Sequence, residues 1–532
     1  MVQLVQAVLS LLPLSSTLFQ NPQQSIVPPL SSQSIAIVGA GSGGLAILKT
    51  LLDLPEDVRS TWEIVLYERR KDVGGLWLED TRPPSPPRLP ESPVYPLLHT
   101  NTPHPTMTYP GFTFPPGTPL FPSHEYMWKY HVDFAEKHNL TQYIRLNHVV
   151  LAAGWAGNST TGQWKLEVAR TDRLSEHELR SFDHLIVANG HNHYPRSPKW
   201  DGEDDWLASS PPSQPKREIL HSIYYRHPER YINRTVVIVG GGASGRDAAL
   251  QVGRLTKTYQ SLQEGSLPPD GAQVTVKPPI SHFTNTSVVF TDGTALTDVD
   301  SLILATGYQF LAPFLVHYPK NSGVSSPALI HSPDSSVNST TAQSLTTNTR
   351  YIYPLYEHIF SLSPAFPPTA LAFVGLPVLI ANCPSDRAQA LFISHAIADP
   401  SVLPSRGEML DALVLREENL RERGYDPYYY GHKMVGGDSE AQAYQNALVR
   451  YLKQQGKLPE DEKDYVEPWR VMARQQSQLI GRAWSRVEEL GEQNKWLDGV
   501  RTEDEWADVM QRLADWQVKW EERHGKDFDT YA

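Results

Sequence analysis

The chain has 532 residues, 40% of them hydrophobic and 20% charged, enough for large buried cores and more than one simple domain carries. Its 47 Lys and Arg against 59 Asp and Glu give a formal net charge of −12, so neither nucleic acid nor an anionic membrane surface is drawn to it by overall charge. The only cysteine is Cys383, which excludes an intrachain disulfide, a CxxC redox pair and a cysteine-built metal site.

Residues 2–14 form an apolar run interrupted by Gln3, Gln6, Ser10 and Pro13 and followed by the small Ser15, Ser16 and Thr17. That is the pattern of a secretory hydrophobic region and cleavage zone, but no Lys or Arg precedes it. Two readings stay open for residues 1–33: a cleaved signal or surface anchor, placing the protein in the secretory pathway, and a disordered leader on a cytoplasmic protein. The sequons at Asn139, Asn158, Asn233, Asn285 and Asn338 do not separate them, because a chain rich in Ser and Thr gives roughly two or three by chance. No stretch approaches the ~20 apolar residues of a spanning helix.

The first informative segment is Ser34-Ile-Ala-Ile-Val-Gly-Ala-Gly-Ser-Gly-Gly. A β-branched run leads into Gly39, Gly41 and Gly44 and then a helical pattern, which predicts strand, glycine turn and helix. The three glycines serve a tight turn, close approach of backbone to a pyrophosphate, and close packing of helix on strand. A second predicted strand, residues 63–67, ends in Glu68, an acid about 20 residues on that suits a ribose hydroxyl. The same construction returns at Thr235-Val-Val-Ile-Val-Gly-Gly-Gly-Ala-Ser-Gly, with Gly240, Gly242 and Gly245. An internal echo accompanies the two units: Asp183-His-Leu-Ile-Val-Ala-Asn-Gly and Asp300-Ser-Leu-Ile-Leu-Ala-Thr-Gly each read as a late strand ending in a glycine turn near a ligand. Two dinucleotide sites in one chain imply an electron path, in which one coenzyme delivers hydride and a second receives it.

These motifs resemble the flavin-containing monooxygenases from residue 34 to about 455. Gly74, Gly75, Leu76 and Trp77 after Glu68 are similar to that family's Gly-Gly-x-Trp segment beside the flavin, and Leu98-His-Thr-Asn-Thr-Pro to its Thr-Asn segment. The resemblance implies that Asn101 lies against flavin and nicotinamide and is the catalytic residue. It further implies FAD contacts from Gly39, Gly41, Gly44, Glu68, Gly75, Trp77 and Val149, and nucleotide or flavin contacts from Gly240, Gly242, Gly245, Thr306 and Gly307. His221-Ser-Ile-Tyr-Tyr-Arg matches the end of the family's identifying pattern, whereas Pro215 and Arg217 stand where Phe and Gly belong, so altered packing is expected there. His221 is expected to hold this linker, not to exchange protons. Tyr225, Arg226 and Tyr308 follow the monooxygenase form and not that of the related Baeyer–Villiger enzymes. The resemblance therefore implies that FAD, reduced by a nicotinamide nucleotide, meets O2, forms a C4a-(hydro)peroxyflavin and oxygenates a soft nitrogen or sulfur of a small amine or sulfide. The alternatives are a Baeyer–Villiger oxygenase acting on a ketone and a non-catalytic nucleotide-binding homologue.

Coenzyme choice carries one departure. The family's Ser-x-Arg-x-Gly is here Ser261-Leu-Gln263-Glu264-Gly265, so the arginine expected on the 2′-phosphate of NADPH is Gln263, and an acid follows that suits a ribose hydroxyl. NADPH is the family expectation, with Lys257 or Arg254 as substitutes, and NADH is a contender.

The expected fold class is α/β, two nested Rossmann-like dinucleotide-binding domains with a C-terminal helical extension. The FAD-binding domain would occupy 34–200 and resume at 296–405, the NAD(P)H-binding domain 201–295, and the helical region 406–532. Proline-rich stretches at 82–96 and 209–215 mark connections, and residues 320–350, dense in Ser, Thr, Asn and Pro, read as an exposed insertion without its own core. In the tail, Trp469, Trp484, Trp496, Trp506, Trp516 and Trp520 recur in amphipathic stretches expected to cover the main domains or a second subunit of a homodimer.

Overall fold

The computed structural model describes residues 32–212, 215–315, 329–332, 337–342 and 344–525. All but the last two residues of the 1–33 leader expectation, and much of the 320–350 insertion, lie outside them. No helix among the described residues is long and apolar enough to cross a membrane.

Two sheets organise the chain, each with a parallel centre grown around one glycine turn, and the first carries an antiparallel edge. Ser34–Val38 pairs in parallel with Glu63–Glu68 and with His184–Val187, and its Ile35, Ala36 and Ile37 are fully buried. A strand covered on both faces reads as a continuous apolar run, which is why this segment shows no alternation. The seven-stranded sheet adds Ile144–Leu146 beyond Glu63–Glu68 and Leu371–Phe373, Phe360–Ser361 and Leu355–Tyr356 beyond His184–Val187. The second sheet runs Thr275–Lys277, Thr258–Ser261, Val236–Val239, Ser301–Leu304, Glu218–His221.

Ser301–Leu304 pairs in parallel with both Val236–Val239 and Glu218–His221. It belongs to the second sheet, so the chain rejoins the first sheet later than the expected position near 296. The internal echo explains the placement: His184–Val187 and Ser301–Leu304 are the same strand of two copies of one design. Asp183 Oδ2 accepts from Ser34 N at 2.9 Å, and Asp300 Oδ2 accepts from Thr235 N at 2.9 Å. Each aspartate satisfies the backbone donor that opens the neighbouring glycine-bearing strand.

An antiparallel sheet of His148–Gly157, Gly162–Arg170 and Arg173–Phe182 packs Trp155, Trp164 and Phe182 against Phe366 and Leu371. The described parts of the 320–350 segment depart from the expected exposed insertion. Leu329–His331 and Leu345–Thr347 pair with each other, and the latter pairs with Ile352–Tyr353. Leu329 and Leu345 are fully buried in the Trp164 cluster. Single leucines in a polar context anchor these short strands, a pattern with too little periodicity to register in the sequence.

The C-terminal region is helical, as its patterning indicates. Capping boxes start two of its helices, Ser405 with Glu408 before Arg406–Glu422 and Thr502 with Glu505 before Glu503–His524. Pro468–Gln475, Ser477–Glu489 and Glu503–His524 bury Ile480, Trp484, Val487, Met510 and Leu513 together with Leu120, with Trp469, Trp496, Trp506 and Trp516 packed at the margin. The Arg470 guanidinium donates to Pro105 O and, at 3.1 Å, to Thr108 Oγ1. The tail thus clamps the segment that follows Asn101.

Arg217 accounts for the altered linker. Only 4% exposed, its Nη1 donates to Trp206 O at 3.0 Å and Asn285 O at 2.7 Å, and the guanidinium lies 4.8 Å from the centre of the Trp206 ring. Replacing Arg217 with Ala strands buried carbonyls and should lower unfolding free energy by about 2–4 kcal/mol, measured from the denaturant midpoint, with Arg217→Lys losing less.

Candidate functional site

A cavity of about 420 Å³ opens at the C-terminal ends of the first sheet's strands, where open α/β sheets bind ligands. Gly39, Gly41, Glu68, Gly75, Trp77 and Val149 all line it. Gly44 sits behind the wall, where a Cβ would fall 1.8 Å from Gly39 O. That contact sets helix Ser42–Asp53 hard against the strand and points its N-terminus at the cavity. Gly39 has φ +106, and a Cβ there would meet Ala188 O at 2.4 Å. Gly75 has φ +53, and its Cβ would fall 2.8 Å from Gly41 Cα, so two glycine loops meet with no room for a methyl group. Gly74 N donates to Ala40 O at 2.9 Å and ties the loops together.

Glu68, 6% exposed, accepts from Ala40 N and Arg70 N, each at 2.8 Å. Both oxygens are thereby fixed at the cavity wall with lone pairs left for further donors. Arg70 braces the same wall, donating to Gly75 O at 2.9 Å and Glu79 O at 3.0 Å. His193 also lines the cavity. Burial first, then the charges of Arg69 and Arg70, lower its pKa to about 4, so it is neutral at physiological pH. Sequence reasoning missed the opposite wall, where Gly375, Asn382 and Asp386 meet the cavity. The helix Asn382–Ala398 presents its first turns there, and the glycine before it was the available signal.

Asn101 is exposed and is not among the lining residues. Its loop is held from both sides, by Thr100 N donating to Pro122 O at 3.0 Å and His104 N donating to Leu120 O at 2.9 Å.

The second glycine turn repeats the first. Gly240 has φ +112, with a Cβ position 2.5 Å from Ala305 O, and a Cβ on Gly245 would fall 2.3 Å from Gly240 O. Gly242 caps helix Ala243–Gly253 with open space around it. Thr306 Oγ1 donates to Arg196 O at 2.5 Å, and Gly307 O accepts from Arg196 N at 2.9 Å. His221 takes the role expected of it: Nδ1 accepts from Ile223 N at 3.1 Å, and Nε2 lies 3.0 Å from Gly307 O. Burial lowers its pKa to about 4, keeping it a neutral strut. Tyr225 OH donates to Gln251 Oε1 at 2.7 Å, and Arg226 donates to Ile223 O at 2.9 Å and Ser92 O at 3.3 Å, so both fasten the linker. Gln263 and Glu264 are exposed just past Thr258–Ser261.

The flavin-binding monooxygenase-like family model matches residues 32–267 and 270–323. The chain belongs to that family. It is 28% identical over 413 residues to flavin-containing monooxygenase FMO GS-OX-like 8 of Arabidopsis thaliana, across 73% of this chain and 80% of that protein. It is 27% identical over 434 residues to FMO GS-OX4 of the same plant, across 76% and 82%. Its fold is that of the S-allyl-L-cysteine S-oxygenase from Allium sativum, with TM-score 0.66 and 23% identity over 91% of this chain and 99% of that one. Tmm from Pelagibacter sp. strain HTCC7211 superposes with TM-score 0.61 and 21% identity over 85% and 90%.

A flavin-binding monooxygenase consumes O2 and a small-molecule substrate, and the family uses FAD and NADPH. The residues present fit a flavin dinucleotide. The Gly41–Gly75 approach leaves a backbone-lined cradle, a helix N-terminus faces it, and Glu68 is fixed where hydroxyl donors are accepted. Gly75→Ala should weaken FAD binding at least about tenfold, since its methyl displaces the Gly41 backbone, and should cost about 1 kcal/mol or more of stability from the left-handed φ and that displacement together. Flavin content per chain and FAD titration of the apoprotein measure the first, thermal unfolding the second.

Proposed function

We propose that the protein oxygenates a soft nucleophilic nitrogen or sulfur of a small molecule. FAD would lie in the cavity of Gly39, Gly41, Glu68, Gly75, Trp77 and Val149, and the reduced nicotinamide nucleotide at Gly240, Gly242 and Gly245. The observation that carries this reading is the duplicated turn. In both sheets a left-handed glycine rests on the carbonyl of an alanine in the adjacent strand, and a helix N-terminus opens beyond it. One such site holds a resident coenzyme, and two let an exchanging coenzyme reduce it.

FAD supplies the redox chemistry: it accepts hydride and activates dioxygen. The chain's part is binding, orientation and exclusion of water. The Ser42–Asp53 helix N-terminus and the glycine backbone receive the pyrophosphate, and Glu68 receives ribose hydroxyls. Trp77 and Val149 bring apolar surface to the cavity wall, which keeps water from the reacting face. Thr306 and Gly307, fastened through Arg196 and His221, fix the end of the second sheet relative to the linker. Asn101 sits on a braced, exposed loop outside the cavity lining, and its proposed role toward the nicotinamide rests on the resemblance of its Thr-Asn segment to the family's. No nucleophile or general-base triad is required.

The same reading addresses coenzyme choice. The expected arginine is Gln263, Glu264 adds a negative charge, and Lys257 is paired with Asp298 at 2.7 Å. The protein is therefore proposed to accept NADH alongside NADPH, and Gln263→Arg should raise the NADPH-to-NADH ratio of kcat/KM by about tenfold or more.

The deciding experiment supplies purified enzyme with FAD, either nucleotide, air, and in turn a thioether, a tertiary amine and a ketone. Sulfoxide or N-oxide formed in proportion to nucleotide oxidised is the expected result, and ester formed from the ketone would replace the reading with Baeyer–Villiger chemistry. Asn101→Phe should divert nucleotide oxidation toward hydrogen peroxide, read by a peroxidase-coupled assay, and an unchanged peroxide fraction removes Asn101 from that role.

A further inference from the structure

In the same cavity as the first glycine turn stands a carboxyl group to which the function above assigns no part. Asp386, 2% exposed, lies one turn into helix Asn382–Ala398 and lines the same cavity as Gly41, Ser42 and Gly43. Its Oδ1 is 3.3 Å from where a Cβ on Gly375 would stand.

The groups around it bring no compensating charge. From the segment after Asn101 comes Tyr109, whose hydroxyl donates to Ser42 O at 2.7 Å. From its own helix comes Cys383, whose Sγ is 3.9 Å from His131 Nε2 on helix His124–Lys137. Tyr444 approaches from helix Gly437–Gln454, and Tyr465 OH donates to Pro384 O at 2.7 Å. Burial raises the three phenols and the thiol, so all four keep their protons. His131 is neutral as well, lowered to about 4 by burial. The adjacent cation, Arg387, is directed elsewhere, to Thr50 and, at 3.0 Å, to Asp53. No ion pair to Asp386 occurs among the described residues, and burial, opposed only by the Ser42 side chain, lifts its pKa to about 7.

The residues beside Asp386 are those that face a dinucleotide's pyrophosphate: the glycine turn and the first residue of the helix behind it. Two phosphate charges next to an unpaired buried carboxylate are strongly unfavourable, and the cheaper state is the protonated acid. Resting on the reading that this cavity takes FAD, we propose that Asp386 enters the complex as the neutral acid, so that FAD binding takes up a proton at this residue. The sign follows. The acid is stabilised in the complex, so its pKa there lies above that of the free protein. Affinity is full below the free value, about 7, and above it falls by up to roughly tenfold per pH unit until the bound value is reached.

The test is FAD titration of full-length apoprotein by flavin fluorescence between about pH 6 and 9, for wild type and Asp386→Asn, with proton uptake read by an indicator dye in weak buffer. Expected are an affinity loss of roughly tenfold or more over that range for the wild type, a nearly flat profile for Asp386→Asn, and proton uptake above neutral pH only in the wild type. Asp386→Ser, which removes the carboxyl with a smaller side chain, should match the Asn variant. A pH-independent wild type, or equal slopes in all three proteins, overturns the proposal and leaves the FAD site standing. Failure of the wild type to bind FAD at any pH overturns both.

Discussion

The contact on which the rest depends is the pressing of a strand-end glycine against a carbonyl of the neighbouring strand. At Gly39 the partner is Ala188 O, at Gly240 it is Ala305 O, and a β-carbon at either would stand within about 2.5 Å of that oxygen. The left-handed φ at both glycines turns the chain sharply enough for the next helix to begin at once. A second close approach, Gly44 on Gly39 O and Gly245 on Gly240 O, then draws each helix onto its sheet. Without these approaches the helix N-termini would not meet the strand ends, and no anion-receptive mouth would form.

Duplication of that contact accounts for the chain's organisation. The two aspartates, Asp183 and Asp300, begin equivalent strands and hydrogen-bond equivalent backbone donors. The two alanines, Ala188 and Ala305, directly follow those strands and receive the glycines. A reader of the sequence sees only Asp, four apolar residues, Ala, x and Gly, twice; in space the repeat is the neighbour on which each glycine turn is moulded. The second sheet, which is built from residues between Glu218 and Leu304, interrupts the strands of the first. At its edge, Gly307 O accepts from Arg196 N and lies 3.0 Å from His221 Nε2, and Arg226 ties the linker to Ser92 O.

What the sequence disclosed, and what it hid, follows from how local each signal is. The glycine turns, Glu68 and the Gly75–Trp77 segment are legible because a turn, its strand and its helix are contiguous, and each glycine answers a local steric demand. The placement of Ser301–Leu304 was not legible from position alone, since a parallel strand's neighbours are set by crossovers and not by adjacency in the chain. Nor was the burial of Leu329 and Leu345, where one leucine per short strand carries no period. Arg217 was visible as a departure from the pattern, but its consequence was not. An arginine in place of glycine adds five donors, and only the fold shows that Trp206 O and Asn285 O are there to take them.

The far wall of the cavity was the least legible, because its residues come from a helix more than 300 positions after the first glycine turn. Its chemistry differs from that of the near wall in kind. Glu68 faces two backbone N–H donors at 2.8 Å, which hold a carboxylate as an acceptor. Asp386 faces one hydroxyl and a ring of protonated phenols, a thiol and a neutral imidazole. The same functional group thus meets two surroundings in one chamber, backbone N–H donors at Glu68 and uncharged, proton-bearing groups at Asp386. An ionised residue at the second position would set like charges against each other in a site from which water is largely removed, where such repulsion is strongest. The division of labour between the two walls is electrostatic, and it is set by the number of donors each element turns toward its carboxyl group.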